Sequence, residues 1–201
     1  MNPSESTSLR RQLRSDLRNR RSQLSDAQQQ SAARHVYRLL IHHPVFLRAR
    51  RIAFYFASDG ELDPLPLMLA SLEMGKDCYL PVLSRHRPNQ VSFAPFTDGV
   101  SLQANRWGIP EPVAPITRLV SPRAIDLVLV PLVGFDDQGG RLGMGKGFYD
   151  RTFCFRIRSG LRRPRLLGLA HECQRVDRIP MAPWDVRLDA VASDRQIYWP
   201  T

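Results

Sequence analysis

Residues 141–151 read RLGMGKGFYDR, with glycine at positions 143, 145 and 147 around one lysine, Lys146, followed by Phe148, Tyr149 and Asp150. Glycines let a backbone approach a ligand closely, and N–H groups at a helix start carry partial positive charge. Such a turn between a strand and a helix therefore suits a phosphate. The lysine is informative because, of 29 lysines and arginines, only Lys76 and Lys146 are lysine. Its compact ammonium acts as a point charge, where a planar guanidinium forks onto two oxygens. Neither familiar phosphate loop fits completely. The GxGxxG pattern begins with Gly143 and Gly145 but meets Phe148 at its third glycine. The P-loop pattern finds Gly140, Gly145 and Lys146 but has Gly147 where the metal-binding hydroxyl belongs. Asp150 offers a carboxylate that can take the metal in place of that hydroxyl. A solvated glycine turn explains any one of these glycines but not the whole string.

A site of this kind needs a strand before it and a helix after it. AIDLVLVPLVGF is the best central-strand candidate, with the glycine loop expected to follow at once, and a helix is expected from Phe148 to about Ile157 with Gly160 as its stop. Upstream, residues 8–24 read as a helix in which Leu9, Leu13 and Leu17 form a packing stripe beside a cationic stripe of Arg10, Arg14 and Arg18. Ser25 with Gln28 forms a capping-box pattern that starts a second helix ending near Leu40. RRIAFYFAS and DCYLPVL read as strands flanking a short helix, LPLMLASLEMG, and QVSFAPF as an added antiparallel strand. Residues 97–122 read as an ordered loop rich in Pro and Gly, and PRLLGLA and LDAVASD as later strands. The alternation predicts a single α/β domain of three layers, with helices on both faces of a mostly parallel sheet.

Composition narrows the function classes. With 201 residues, 43% hydrophobic and 8% aromatic, the chain has the profile of one globular domain. Its apolar runs fall short of the roughly 20 residues a membrane-spanning helix requires. The arginine-rich start has no apolar core or small-residue cleavage site, so no secretory signal is expected. Three cysteines without CxxC spacing suggest neither a disulfide framework nor a zinc site, and favour a reducing, cytoplasmic setting. The net charge of +10 admits nucleic acid as a partner, but solvated surface arginines or a small polyanionic substrate account for it as well.

The string GFDDQGGRLGMGKGFYDR, residues 134–151, closely resembles the signature of the 5-formyltetrahydrofolate cyclo-ligase (methenyltetrahydrofolate synthetase) family. LRRQLR near the start, DGELD at 59–63, WGIPEP at 107–112 and IPMAPWDVRLD at 179–189 extend the likeness in the same order. The resemblance implies a three-layer α/β/α domain similar to the ribose-5-phosphate isomerase and CoA-transferase group. It implies a carbon–nitrogen cyclo-ligase that converts 5-formyltetrahydrofolate and ATP, with magnesium, to 5,10-methenyltetrahydrofolate, ADP and phosphate. With these small molecules as partners, a cytoplasmic monomer is expected, with no nucleic acid and no membrane.

Carried over position by position, the resemblance implies that Arg10 and Arg14 face the ATP phosphates. The ATP loop would comprise Arg141, Leu142, Gly143, Met144, Gly145, Lys146, Gly147, Phe148 and Tyr149. Within it, Lys146 would hold the phosphates, Arg141 would stabilise transferred charge and Tyr149 would bond the reacting group. Asp150 and Asp185 are the implied magnesium carboxylates. Phe56, Glu61, Trp107, Met144 and Tyr149 are the implied folate contacts. Two positions depart from the family pattern: Arg10 stands where lysine is common, and Phe148 where tyrosine is usual.

Overall fold

The computed structural model describes residues 3–84, 87, 89–161 and 163–200. Helix α1 runs Pro3–Ser22, α2 Asp26–Ile41 and α3 Pro44–Leu47, before strand β1, Arg51–Ala53. Helix α4, Leu65–Glu73, leads to β2, Asp77–Leu83, and β3, Val91–Phe96. A hairpin of β4, Leu102–Ala104, and β5, Pro110–Pro112, precedes β6, Leu127–Pro131. A second hairpin, β7 Gly134–Phe135 with β8 Arg141–Leu142, is followed by α5, Phe148–Ser159. Strands β9, Arg165–Leu169, β10, Ala190–Ala192, and β11, Ile197–Tyr198, complete the order.

Seven strands form one sheet in the order β11-β10-β9-β6-β1-β2-β3. The five central strands are parallel, and β3 and β11 close the two edges antiparallel. Alternate residues along each strand serve opposite faces, as the period of two requires. Ile52, Leu127, Leu129, Leu167 and Ala190 join α2, α3 and α4 in one core. Ala53, Val128, Val130, Leu166 and Val191 join Phe153 of α5 in the other. Helices thus cover both faces, as the alternation of elements predicts.

Strand order fixes where a ligand goes. From β1 the chain passes through α4 to β2 on one side, then returns to place β6, β9 and β10 on the other. The crevice between the carboxyl ends of β1 and β6 is therefore a topological switch point, the usual ligand position in an open α/β sheet. Residues 54–61 leave β1 at this crevice, and residues 132–147 leave β6 there.

Several expected elements differ in detail. The first helix is Pro3–Ser22, not 8–24, and of its leucine stripe Leu17 is buried, Leu13 half-buried and Leu9 exposed. The capping box holds: Ser25 N–H donates to Gln28 Oε1 at 2.8 Å, and Gln28 N–H to Ser25 Oγ at 3.3 Å. RRIAFYFAS pairs only through Arg51–Ala53. Beyond it Phe54 N–H still reaches Tyr79 O at 2.8 Å, but the Tyr55 hydroxyl donates to Leu62 O at 2.6 Å and folds the chain back into a loop. The glycine loop does not follow β6 at once, because the β7–β8 hairpin intervenes. The stretch from 97 to 122 carries the β4–β5 hairpin and 3₁₀ turns. No described helix is long and apolar enough to cross a membrane.

Candidate functional site

A cleft of about 340 Å³ opens between α1, the glycine loop, the first turn of α5 and the segment around Asp185. Thr7, Arg10 and Arg14 lie on the α1 side at helical spacing. Arg14 Nε donates to Gly143 O at 2.8 Å and so ties α1 to the loop. Arg18, one turn further, instead pairs with Asp59 at 2.9 Å. Gly145 and Gly147 have φ of 95° and 68°, a backbone region that side-chain-bearing residues rarely adopt. Gly147 is the N-cap of α5 and provides no side-chain cap, so the first-turn N–H groups are left for a ligand. Gly140 belongs to a different structure: its N–H is held by Asp136 Oδ1 at 2.7 Å. Lys146 is exposed on the cleft, and its ammonium has no hydrogen-bond or ion-pair partner among the described residues.

Four cationic side chains, Arg10, Arg14, Lys146 and Arg151, line this space against two carboxylates, Asp150 and Asp185. Burial and then the nearby Arg10 guanidinium push the Arg14 pKa down, while Asp185 opposes them. Part of the push is thus crowding of positive charge, which an anion in the cleft would relieve. Each carboxylate is already engaged. Asp185 Oδ2 accepts from Arg10 Nη1 at 2.7 Å and from Ala182 N–H at 2.7 Å. Asp150 Oδ1 accepts from Arg141 and from Val186 N–H at 3.1 Å, which brings Asp150 beside Asp185. No group of three or more His, Cys, Asp or Glu able to hold a metal occurs among the described residues. Two carboxylates fit magnesium, which takes one or two of them and fills its octahedron with phosphate oxygens and water.

Arg141 links the cleft to the β1 side of the crevice. It is 6% exposed, pairs with Asp150, and sets its guanidinium 5.7 Å from the Tyr149 ring centroid. Its Nε is buried without a partner among the described residues. Burial and then the charge of Glu61 raise the Tyr149 pKa well above its usual value, opposed by Arg141, so the phenol stays protonated. Glu61 lies on the loop after β1, where burial raises its own pKa while Ser58 and Arg21 oppose the rise. Ser58 N–H reaches Glu61 Oε2 at 3.2 Å. Phe56 sets its ring edge-on to Phe96 at 6.1 Å and packs against the core of α2–α4. Trp107, 43% exposed, meets Phe148 edge-on at 5.4 Å under the Arg106 guanidinium, and Met144 is exposed.

With this geometry in place, comparison with known proteins is decisive. The sequence model described as the 5-formyltetrahydrofolate cyclo-ligase family matches residues 6–194. The chain belongs to that family. It is 33% identical over 183 residues to the 5-formyltetrahydrofolate cyclo-ligase of Escherichia coli (strain K12), covering 90% of this chain and 98% of that one. It is 33% identical over 183 residues to the enzyme of the same name from Haemophilus influenzae, covering 90% and 96%. The solution structure of Aquifex aeolicus 5,10-methenyltetrahydrofolate synthetase superposes with a TM-score of 0.81 at 29% identity, over 95% of this chain and 92% of that one.

Within this member of the cyclo-ligase family, the cleft gathers Arg10, Arg14, Gly143, Gly145, Lys146, Gly147, Asp150 and Asp185. Leu142 stands apart. It is fully buried against Leu17, Val133 and Ile179, and its carbonyl is held by Val133 N–H at 2.7 Å, so its side chain belongs to the core and not to the cleft lining. Arg141, Met144, Phe148 and Tyr149 flank the cleft without lining it, Phe148 being engaged with Trp107. Sequence reasoning passed over Arg151 and Trp184, which line the cleft although both sit inside quoted motifs. It also passed over Arg21. This buried arginine donates to Asp59 Oδ2 at 2.7 Å and to Leu132 O at 3.4 Å, joining the loops after β1 and β6. The signal was its position, one turn beyond Leu17 in line with the Leu9, Leu13 and Leu17 packing stripe, but an arginine there reads as part of the cationic run around it.

Proposed function

We propose that this chain converts 5-formyltetrahydrofolate to 5,10-methenyltetrahydrofolate at the expense of ATP, releasing ADP and phosphate. The observation that carries the reading is the unpartnered Lys146 ammonium beside an uncapped helix start, in a cleft shared with Arg10 and Arg14. Membership of the cyclo-ligase family supplies the folate side.

The formyl oxygen on N5 is a poor leaving group. Its attack on the γ-phosphorus of ATP breaks the bond to ADP and leaves an imino-phosphate. N10 then attacks the activated carbon, loses its proton, and phosphate departs as the ring closes. Phosphoryl transfer asks a protein mainly for positioning and charge stabilisation. Lys146 and the loop N–H groups hold the terminal phosphates, and Arg10 and Arg14 neutralise the others. Arg141, beside both Asp150 and the Tyr149 ring, answers the charge of the transferred group. Asp150 and Asp185 are the residues that would hold a magnesium ion, which would supply further neutralisation of phosphate charge. Tyr149 keeps its proton and donates it in a hydrogen bond to the formyl group. Glu61 accepts from pterin N–H groups, with Phe56, Trp107 and Met144 as apolar borders.

The test is ATP-dependent formation of the methenyl chromophore from 5-formyltetrahydrofolate with stoichiometric ADP. Absence of product at saturating ATP and magnesium contradicts the reading.

A further inference from the structure

The phosphate cleft raises the question of where the rest of a nucleotide lies. Its lining consists of charged side chains, glycines, Thr7 and Trp184. Only Trp184 offers a flat apolar face, and it is 71% exposed, more than any other large hydrophobic side chain among the described residues. Exposed hydrophobic residues are common singly, so exposure alone says little. The surroundings of this one say more. The other two described tryptophans are engaged: Trp107 edges onto Phe148, and Trp199 stacks on His43 at 5.5 Å. Trp184 has no aromatic partner among the described residues.

Its position is also held. Asp185 N–H donates to Ala182 O at 3.0 Å, and Ala182 N–H returns a bond to Asp185 Oδ2 at 2.7 Å, closing a turn around Pro183 and Trp184. The same Asp185 is anchored to Arg10 of α1 at 2.7 Å. The backbone carrying the indole is therefore fixed against the helix that carries the phosphate-facing arginines, so only the indole's own rotamer is left to order when a ligand arrives.

We infer that Trp184 is the stacking platform for the base of the nucleoside triphosphate whose phosphates occupy the glycine loop. This role rests on the reading of the cleft as the ATP site. Every base has a π-face, so the stack gives affinity with little choice among purines. Trp184 thereby sets the affinity for nucleotide and leaves the folate side untouched.

Calorimetric titration of the full chain with ATP and with inorganic tripolyphosphate, both in magnesium, tests the role. Trp184→Ala is expected to weaken ATP by about tenfold, the scale of one lost base–aromatic stack. Trp184→Phe is expected to recover most of that loss, and tripolyphosphate is expected to bind all three proteins alike. Unchanged ATP affinity in Trp184→Ala overturns the role, as does an equal loss for tripolyphosphate, which would make the residue a prop for Asp185. Wild-type protein that binds neither ligand overturns the nucleotide reading of the cleft itself.

Discussion

Arg10 and Asp185, 175 positions apart in the chain, meet in an ion pair of 2.7 Å in the lining of the glycine-loop cleft. Arg141 and Asp150 form a second pair of the same kind beside it. In each pair, a group proposed to serve phosphate is joined to a group proposed to serve magnesium. The pairs satisfy one another's charges, and on the proposed reading both open or share when metal and nucleotide enter.

Metal and nucleotide are therefore expected to bind together. Manganese, followed by electron paramagnetic resonance as a stand-in for magnesium, should bind weakly alone and at least about tenfold more tightly with ATP. By linkage ATP gains the same factor from the metal. Arg10→Gln, which frees Asp185, should raise manganese affinity without nucleotide. Equal manganese affinity with and without ATP would contradict the exchange.

Lys146 and Asp150 should separate under mutation. Lys146→Ala removes an exposed side chain without a partner, so stability should change by less than about 0.5 kcal/mol, while kcat/KM falls by about a hundredfold or more. Asp150→Ala also loses activity, but it strands buried Arg141 at a cost of about 3 kcal/mol. For a chain of this size that lowers the melting temperature by roughly 6–12 °C. Calorimetry beside kinetics distinguishes the two; equal destabilisation would make the loop structural.

The glutamate on the β1 loop gives a pH signature. Burial raises the Glu61 pKa above its ordinary 4.5, so the folded chain holds that proton more tightly than the unfolded one. The stability this contributes is complete below pH 4.5 and is lost as pH rises through the raised folded value. Glu61→Gln should remove that loss, raise the melting temperature at neutral pH above that of the wild-type chain, and raise KM for 5-formyltetrahydrofolate. Superimposable stability profiles for the two proteins would contradict the assignment.

Much of this site was legible because local chemistry announces it. The Ser25 capping box, the α4 start after Pro64, the antiparallel β3 and the α5 stop at Gly160 all follow from short-range signals. The spacing of Arg10 and Arg14 already put both on one helical face. What was not legible depends on distant partners. Strands β7 and β8 have two residues each, too few for any periodicity to register. β1 reads as a long strand because its apolar run continues after it leaves the sheet, into a loop pinned by Tyr55 and Leu62. Nothing near Arg10 or Arg141 indicates that each faces an aspartate, and nothing near Leu142 separates a core leucine from a loop one.

The most direct test follows the formyl oxygen. With 5-formyltetrahydrofolate carrying heavy oxygen in the formyl group, turnover by the wild-type chain with ATP and magnesium is predicted to form the methenyl product and deliver the label into inorganic phosphate, one atom per turnover. Methenyl product accompanied by unlabelled phosphate would contradict phosphorylation of the formyl oxygen in this cleft.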